Sequence, residues 1–142
     1  EKAYHFQGPT RQIPLHFASG IHDLLTVKGL DVLSFEYAAS PKNINSVSKD
    51  MLEKADKQIR VGIARTDIDA IWAELYEKGI TEPKTQDIVE PLDLIKKRYV
   101  LAKEKFGERM TFTGPDCGLG SWPSQEAAQA LLNRAVEAAK TA

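Results

Sequence analysis

Four times along 142 residues, a short apolar run gives way to a stretch whose apolar positions recur at helical spacing. Strand–helix alternation of this kind is met by a parallel sheet with helices laid against it, because each element must bury its apolar side on the next. The first strand is expected at Leu15 to Ala18, after Pro14. Ile21, Leu24 and Leu25 follow at helical spacing, and Gly29 is the stop. Asp31 to Ala38, reading DVLSFEYA, is the second strand, apolar on both faces as a covered parallel strand must be. Asn43 or Asn45 is placed to cap a helix presenting Val47, Met51 and Ala55.

The third strand is QIRVGIAR, Gln58 to Arg65. Asp67 or Asp69 can cap the helix behind it, with Ile68, Ile71, Trp72 and Leu75 inward and Gly79 closing it. Thr81 to Gln86 reads as a loop, and Pro91 as the first residue of a helix carrying Leu92, Ile95, Tyr99, Ala102 and Phe106 up to Gly107. Met110 to Thr113 is the fourth strand, and GPDCGLGSWP, Gly114 to Pro123, is a glycine- and proline-rich loop. Ser124 caps a last helix with Ala128, Leu131, Ala135 and Ala139 on its buried side. One α/β domain over 1–142 is expected, either a small doubly wound sheet or half of a (β/α)8 barrel.

Several functions are disfavoured by what is absent. The formal net charge is -1, with no basic stripe interleaved with aromatics, which argues against nucleic acid. No apolar run approaches the roughly 18 residues of a membrane span. Glu1 to Gly8 is polar and has no apolar signal-peptide core. Neither a G-x-G-x-x-G after a strand nor a P-loop is present. Cys117 is the single cysteine, so no internal disulfide forms, and the expected compartment is the reducing cytoplasm. Cys117 itself reads either as an inert buried thiol or as a ligand or nucleophile.

Three metal-ligating side chains fall at the C-terminal ends of expected strands, where parallel α/β folds build their sites: His16, Glu36 and Cys117. Imidazole, carboxylate and thiolate together suit Zn²⁺. Taken singly, each has a plainer reading, as a hydrogen-bonded strand-end histidine, a paired carboxylate or a structural thiol. Their shared edge is what raises the metal reading.

The turn Pro115-Asp116-Cys117-Gly118-Leu119 resembles the "PDCGL" turn after the last barrel strand of the cobalamin-independent methionine synthases, and Leu15-His16-Phe17-Ala18 and Asp31 to Ala38 resemble two earlier strand ends of that family, in the same order. The likeness is nearest to the short archaeal-type members and weakest between Ile68 and Asp87. It implies the C-terminal half of a (β/α)8 barrel, with four parallel βα units. It also implies zinc on His16, Glu36 and Cys117, and a methyl group passed to a thiol such as homocysteine from a folate-type donor. Asp116 is then either a residue orienting a ligand or a turn aspartate bonding its own backbone. Trp122 either lines the mouth of the site or packs under the last helix.

The chain departs from the family in three places. Ala18 stands where the family has a further zinc-binding Cys, leaving three protein ligands and an open fourth position, as catalytic zinc is often held. Ser19 and His22 lie nearby without occupying that slot. Arg65 and Thr66 stand near a His or Lys followed by Ser, which removes the expected proton relay. The family's N-terminal half, which supplies much of the substrate contact, is not in this sequence, so an N-terminal half-barrel or a second copy of the chain is the expected partner. The competing expectation is a non-catalytic zinc-binding or α/β interaction domain.

Overall fold

The computed structural model describes the backbone of residues 5–7, 10–15 and 21–142, and side chains from His22 onward. Five strands form one sheet in the order of the chain: β1 (His5–Gln7), β2 (Thr10–Leu15), β3 (Val32–Glu36), β4 (Gln58–Ala64) and β5 (Met110–Pro115). β3, β4 and β5 pair parallel, and β2 joins them parallel beside β3 with Leu15 opposite Phe35. β1 runs antiparallel on the outside of β2, with Gln7 opposite Thr10. The chain is therefore α/β around a parallel sheet. The expected strand at Leu15 is set back, since β2 starts at Thr10 and positions 16–20 lie outside the described residues. The antiparallel β1 was not anticipated.

The segments between parallel strands carry α1 (Ile21–Leu25), α2 (Lys49–Ala55), α3 (Ile68–Glu77), α4 (Thr85–Ile88) and α5 (Leu92–Phe106), and α6 (Gln125–Thr141) closes the chain. Leu33 and Phe35 of β3 and Ile59, Val61 and Ile63 of β4 point into one apolar core with Leu52, Ile71, Ile95, Phe106 and Leu131 from the helices. Phe35 meets Phe106 edge-on, ring centroids 6.0 Å apart, which ties the middle of the sheet to the end of α5. The alternate residues of these strands, Ser34, Arg60 and Gly62, face the opposite way.

Local chemistry explains most element ends. Gly29, Gly79 and Gly107 have φ of 77, 81 and 54°, the left-handed backbone that ends helices and turns, as their positions in the sequence suggested. Ser124 accepts from the Ala127 amide at the start of α6, whose fully inward residues are Ala127, Leu131, Ala135 and Ala138. Ala128 and Ala139 are half-buried, so the stripe is rotated slightly from the expected one.

Three expectations are corrected. The cap of α2 is Ser48, which accepts from the Met51 amide, while Pro41–Asn45 winds into a separate 3₁₀ turn. Asn43 is buried there and donates to the Glu36 carbonyl. Within the expected loop Thr81 to Gln86, Thr85 already starts the short α4, with Asp87 accepting from the Lys84 amide. Asp67 precedes α3 without capping it, because its carboxylate is taken by Arg65 at 2.7 and 2.9 Å.

A polar knot holds α5 and α6 to the end of β4. Glu90 takes both terminal nitrogens of Arg98 at 2.7 Å and the Arg65 amide at 2.8 Å. Arg98 also reaches the Ile63 carbonyl, and Arg134 of α6 donates to the carbonyls of Val89 and Glu90. Charged groups this deeply placed stay in the fold because each is met by a partner.

Candidate functional site

At the C-terminal edge of the sheet, the chain leaving β5 turns back over its neighbours. The Asp116 amide continues the ladder by donating to the Ala64 carbonyl at the end of β4. Its side chain then crosses β4 to reach the residues after β3. One carboxylate oxygen accepts from the amides of Tyr37 and Ala38, both at 3.0 Å, and the other from the amide of Ala39 at 2.7 Å. Three consecutive N–H groups converging on a carboxylate make a fixed anion cradle, and charge-assisted bonds of this kind are the stronger ones.

That crossing needs a gap in β4, and Gly62 supplies it. A Cβ there would lie 2.2 Å from an Asp116 carboxylate oxygen and 2.6 Å from the Asp116 Cα. The second contact is with backbone, so no side-chain rotation relieves it. A glycine inside an otherwise apolar strand is the sequence signal of such a close approach.

Two of the expected zinc ligands stand on this edge. Glu36 is the last residue of β3, half-buried, and precedes the three amides that Asp116 gathers. Asn43 fixes its carbonyl at 2.9 Å. Cys117 follows Asp116 and is exposed; the reading of a buried inert thiol does not hold. Its amide donates to Thr66 Oγ1 at 3.1 Å. His16, the third expected ligand, lies outside the described residues, as do Ala18 and Ser19. Among the described residues no three His, Cys, Asp or Glu side chains gather closely enough to hold a metal ion.

Asp116 does not bond its own turn. Its carboxylate is committed to amides 77–79 residues upstream, so it spans the sheet rather than its own turn. Burial pushes its carboxyl up to about 6, with a smaller push from the Glu36 carboxylate and an opposite pull from the three amides.

Thr66 and Arg60 were missed as site residues. Thr66 is buried just past β4; its hydroxyl takes the Cys117 amide, and its carbonyl takes Trp122 Nε1 at 3.4 Å. The loop carrying Cys117 thus hangs from Thr66 at two points. Trp122 is buried in the core, which decides for the packing reading. Arg60 lies one layer below the edge, donating to Ser34 Oγ at 3.2 Å and to the Pro115 carbonyl. Burial pulls its pKa down from the ordinary arginine value, and the nearby Asp116 and Cys117 offset that in part. Arg65 is not available for proton transfer: the hydrogen bonds it donates to the carboxylates of Asp67 and Glu74 hold its pKa above the ordinary value.

The Gly62→Ala variant is expected to lose about 2–3 kcal/mol of stability, the usual cost of overpacking against a backbone that cannot move aside. Urea unfolding measures it, and an unchanged midpoint would contradict the crossing. The raised Asp116 pKa also sets a pH dependence. The folded state holds this proton more tightly than the unfolded chain, whose value is about 4. The contribution is complete below about 4 and is lost as pH rises through about 6, amounting to about 3 kcal/mol. Wild-type stability relative to Asp116→Asn should therefore fall between about pH 4 and about pH 6, the interval between the two values.

No family model, curated protein or solved structure matches the chain.

Proposed function

We propose that this chain is the C-terminal, zinc-carrying half of a (β/α)8-type methyltransferase that passes a methyl group to a thiol such as homocysteine. The observation that carries the reading is the meeting of Glu36 and Cys117 at one edge, where Asp116 binds the amides that follow Glu36. β2 is parallel to β3 and ends at Leu15, opposite Phe35, the residue before Glu36. The strand order adds support. It follows the chain from β2 to β5 without reversing, as in a barrel wall, whereas a doubly wound sheet reverses at its switch point.

Zinc on His16, Glu36 and Cys117 would supply the Lewis acidity that keeps the acceptor thiol deprotonated at neutral pH. The residues around it do the positioning. Asn43 fixes the Glu36 carbonyl, Asp116 fixes the amides that follow it, and Thr66 fixes the Cys117 amide. The methyl donor of this reading is folate-type, bound largely by a partner that completes the barrel. An N-terminal half-barrel or a second copy would meet the open side of β5, where Phe112 is 46 % exposed, and α6, which exposes Leu132 and Val136 one turn apart. No helix among the described residues is long and apolar enough to cross a membrane; the proposed location is the cytoplasm.

Ala18 in place of a ligating Cys favours a second reading, a zinc-binding or α/β interaction domain without catalysis. Metal analysis after dialysis against zinc tests the site: the wild-type chain should retain about one zinc, Cys117→Ser should lose it, and Ser19→Ala should keep it. Zinc content unaffected by Cys117→Ser removes the metal reading. Thiol methylation from a methylfolate, assayed with and without an N-terminal half-barrel, separates the enzyme from the non-catalytic domain.

A further inference from the structure

Both layers of the fold break off at β5. It is the last strand of the sheet, and among the described residues no strand pairs with its outer side. No charged residue stands in Met110–Pro115 to guard that edge, as edge strands usually have. Phe112, opposite Arg60 on the face turned away from the core, is exposed. On the helix side, Leu132 and Val136 of α6 are exposed as well. Arg134 lies two residues from each, about half a helical turn round, and is tied to the carbonyls of Val89 and Glu90 ahead of α5. The Leu132–Val136 stripe therefore looks away from α5, past β5. A docked peptide strand would cover the sheet edge and leave this stripe bare; a further strand-and-helix unit covers both. At the other end of the sheet, β2 runs in the direction of β3, β4 and β5, and its outer edge is taken by the antiparallel β1. A (β/α)8 wall is parallel throughout, so β1 has no place in one.

We propose that a second copy of this chain docks at β5 and that β1 is a detachable cover strand, holding the edge of β2 that β5 of the second copy takes. The inference rests on the barrel reading above and adds what completes the barrel and what controls its closure. β2 to β5 supply four parallel strands, and eight close a barrel. Two copies meet that count. β5 of each pairs parallel with β2 of the other about a two-fold axis, and both junctions need the edge of β2 bare. β1 offers three residues of pairing where β5 offers six, so the exchange favours the longer strand once the chain is concentrated enough.

Sedimentation velocity on the metal-free full chain and on its Phe6→Pro, Gln7→Pro double variant tests this. Neighbouring residues of a strand direct their amides to opposite sides, so one of the two prolines removes a ladder bond whichever way β1 is set. At equal concentration the wild type should sediment mainly as a monomer and the variant as a dimer. Phe112→Lys added to the variant should restore the monomer, since a charge on an edge strand blocks pairing. Where the proline variant fails to fold, a protease site placed at Gly8–Pro9 and cut after folding releases β1 from the folded chain, and the same comparison is made. A released chain that stays monomeric overturns the proposal and leaves a half-barrel of different sequence as the occupant. A dimer that forms with β1 still protected from amide exchange, or one that Phe112→Lys leaves intact, overturns it too. Neither zinc nor a methyl donor is present, so failure of the zinc reading leaves these results intact.

Discussion

The carboxylate of Asp116, laid across β4 onto three backbone amides after β3, fixes the edge of the sheet on which the proposed chemistry depends. Strand ends are ordinarily loose, because the last amides of a ladder have no partner. Here the amides of Tyr37, Ala38 and Ala39 converge on one charged acceptor from a strand two places away. The bond holds the turn after Glu36 and the turn before Cys117 as a single unit. Gly62 is the condition for it, since any side chain at that position would occupy the space of Asp116.

Around this bond, smaller interactions set the remaining backbone. Asn43 holds the Glu36 carbonyl, Thr66 holds the Cys117 amide and the Trp122 indole, and Arg60 holds the Pro115 carbonyl from below. The contacts to the Glu36 carbonyl, the Cys117 amide and the Pro115 carbonyl act on main chain at or near a proposed ligand. On the far side of the last turn, the Glu90–Arg98–Arg134 knot anchors α5 and α6 to the end of β4. The rigid part of the fold thus surrounds the edge while Cys117 itself stays exposed.

Much of the framework was legible in the sequence because it rests on local periodicity. The strands at Asp31–Ala38 and Gln58–Arg65, the parallel pairing between them, the α5 helix and the three glycine stops all follow from patterns within a dozen residues. What stayed hidden depends on contacts far apart in the chain. Asp116 looked like a turn residue because its partners are nearly eighty positions away. Asn43 looked like a cap, yet its amide is spent on Glu36, and the nearby Ser48 does the capping. Arg60 drew no notice within an apolar strand, although a lone charge there is costly to bury and signals a specific role. Gly62 was the readable clue, a flexible residue where strand propensity argues against one. Of the three expected zinc ligands, Glu36 and Cys117 share the edge, and His16 lies outside the described residues.

The proposed edge depends on Asp116 holding those three amides in solution. Amide hydrogen exchange and ¹H–¹⁵N spectra of Tyr37, Ala38 and Ala39, recorded from pH 4 to pH 8 in the wild-type chain and in Asp116→Ala, measure this directly. The account predicts protected amides that titrate together with a midpoint near the Asp116 value of about 6, and loss of both protection and titration in the variant. Amides at 37–39 that exchange as freely as exposed loop residues in the wild type, or that behave identically in Asp116→Ala, would contradict it.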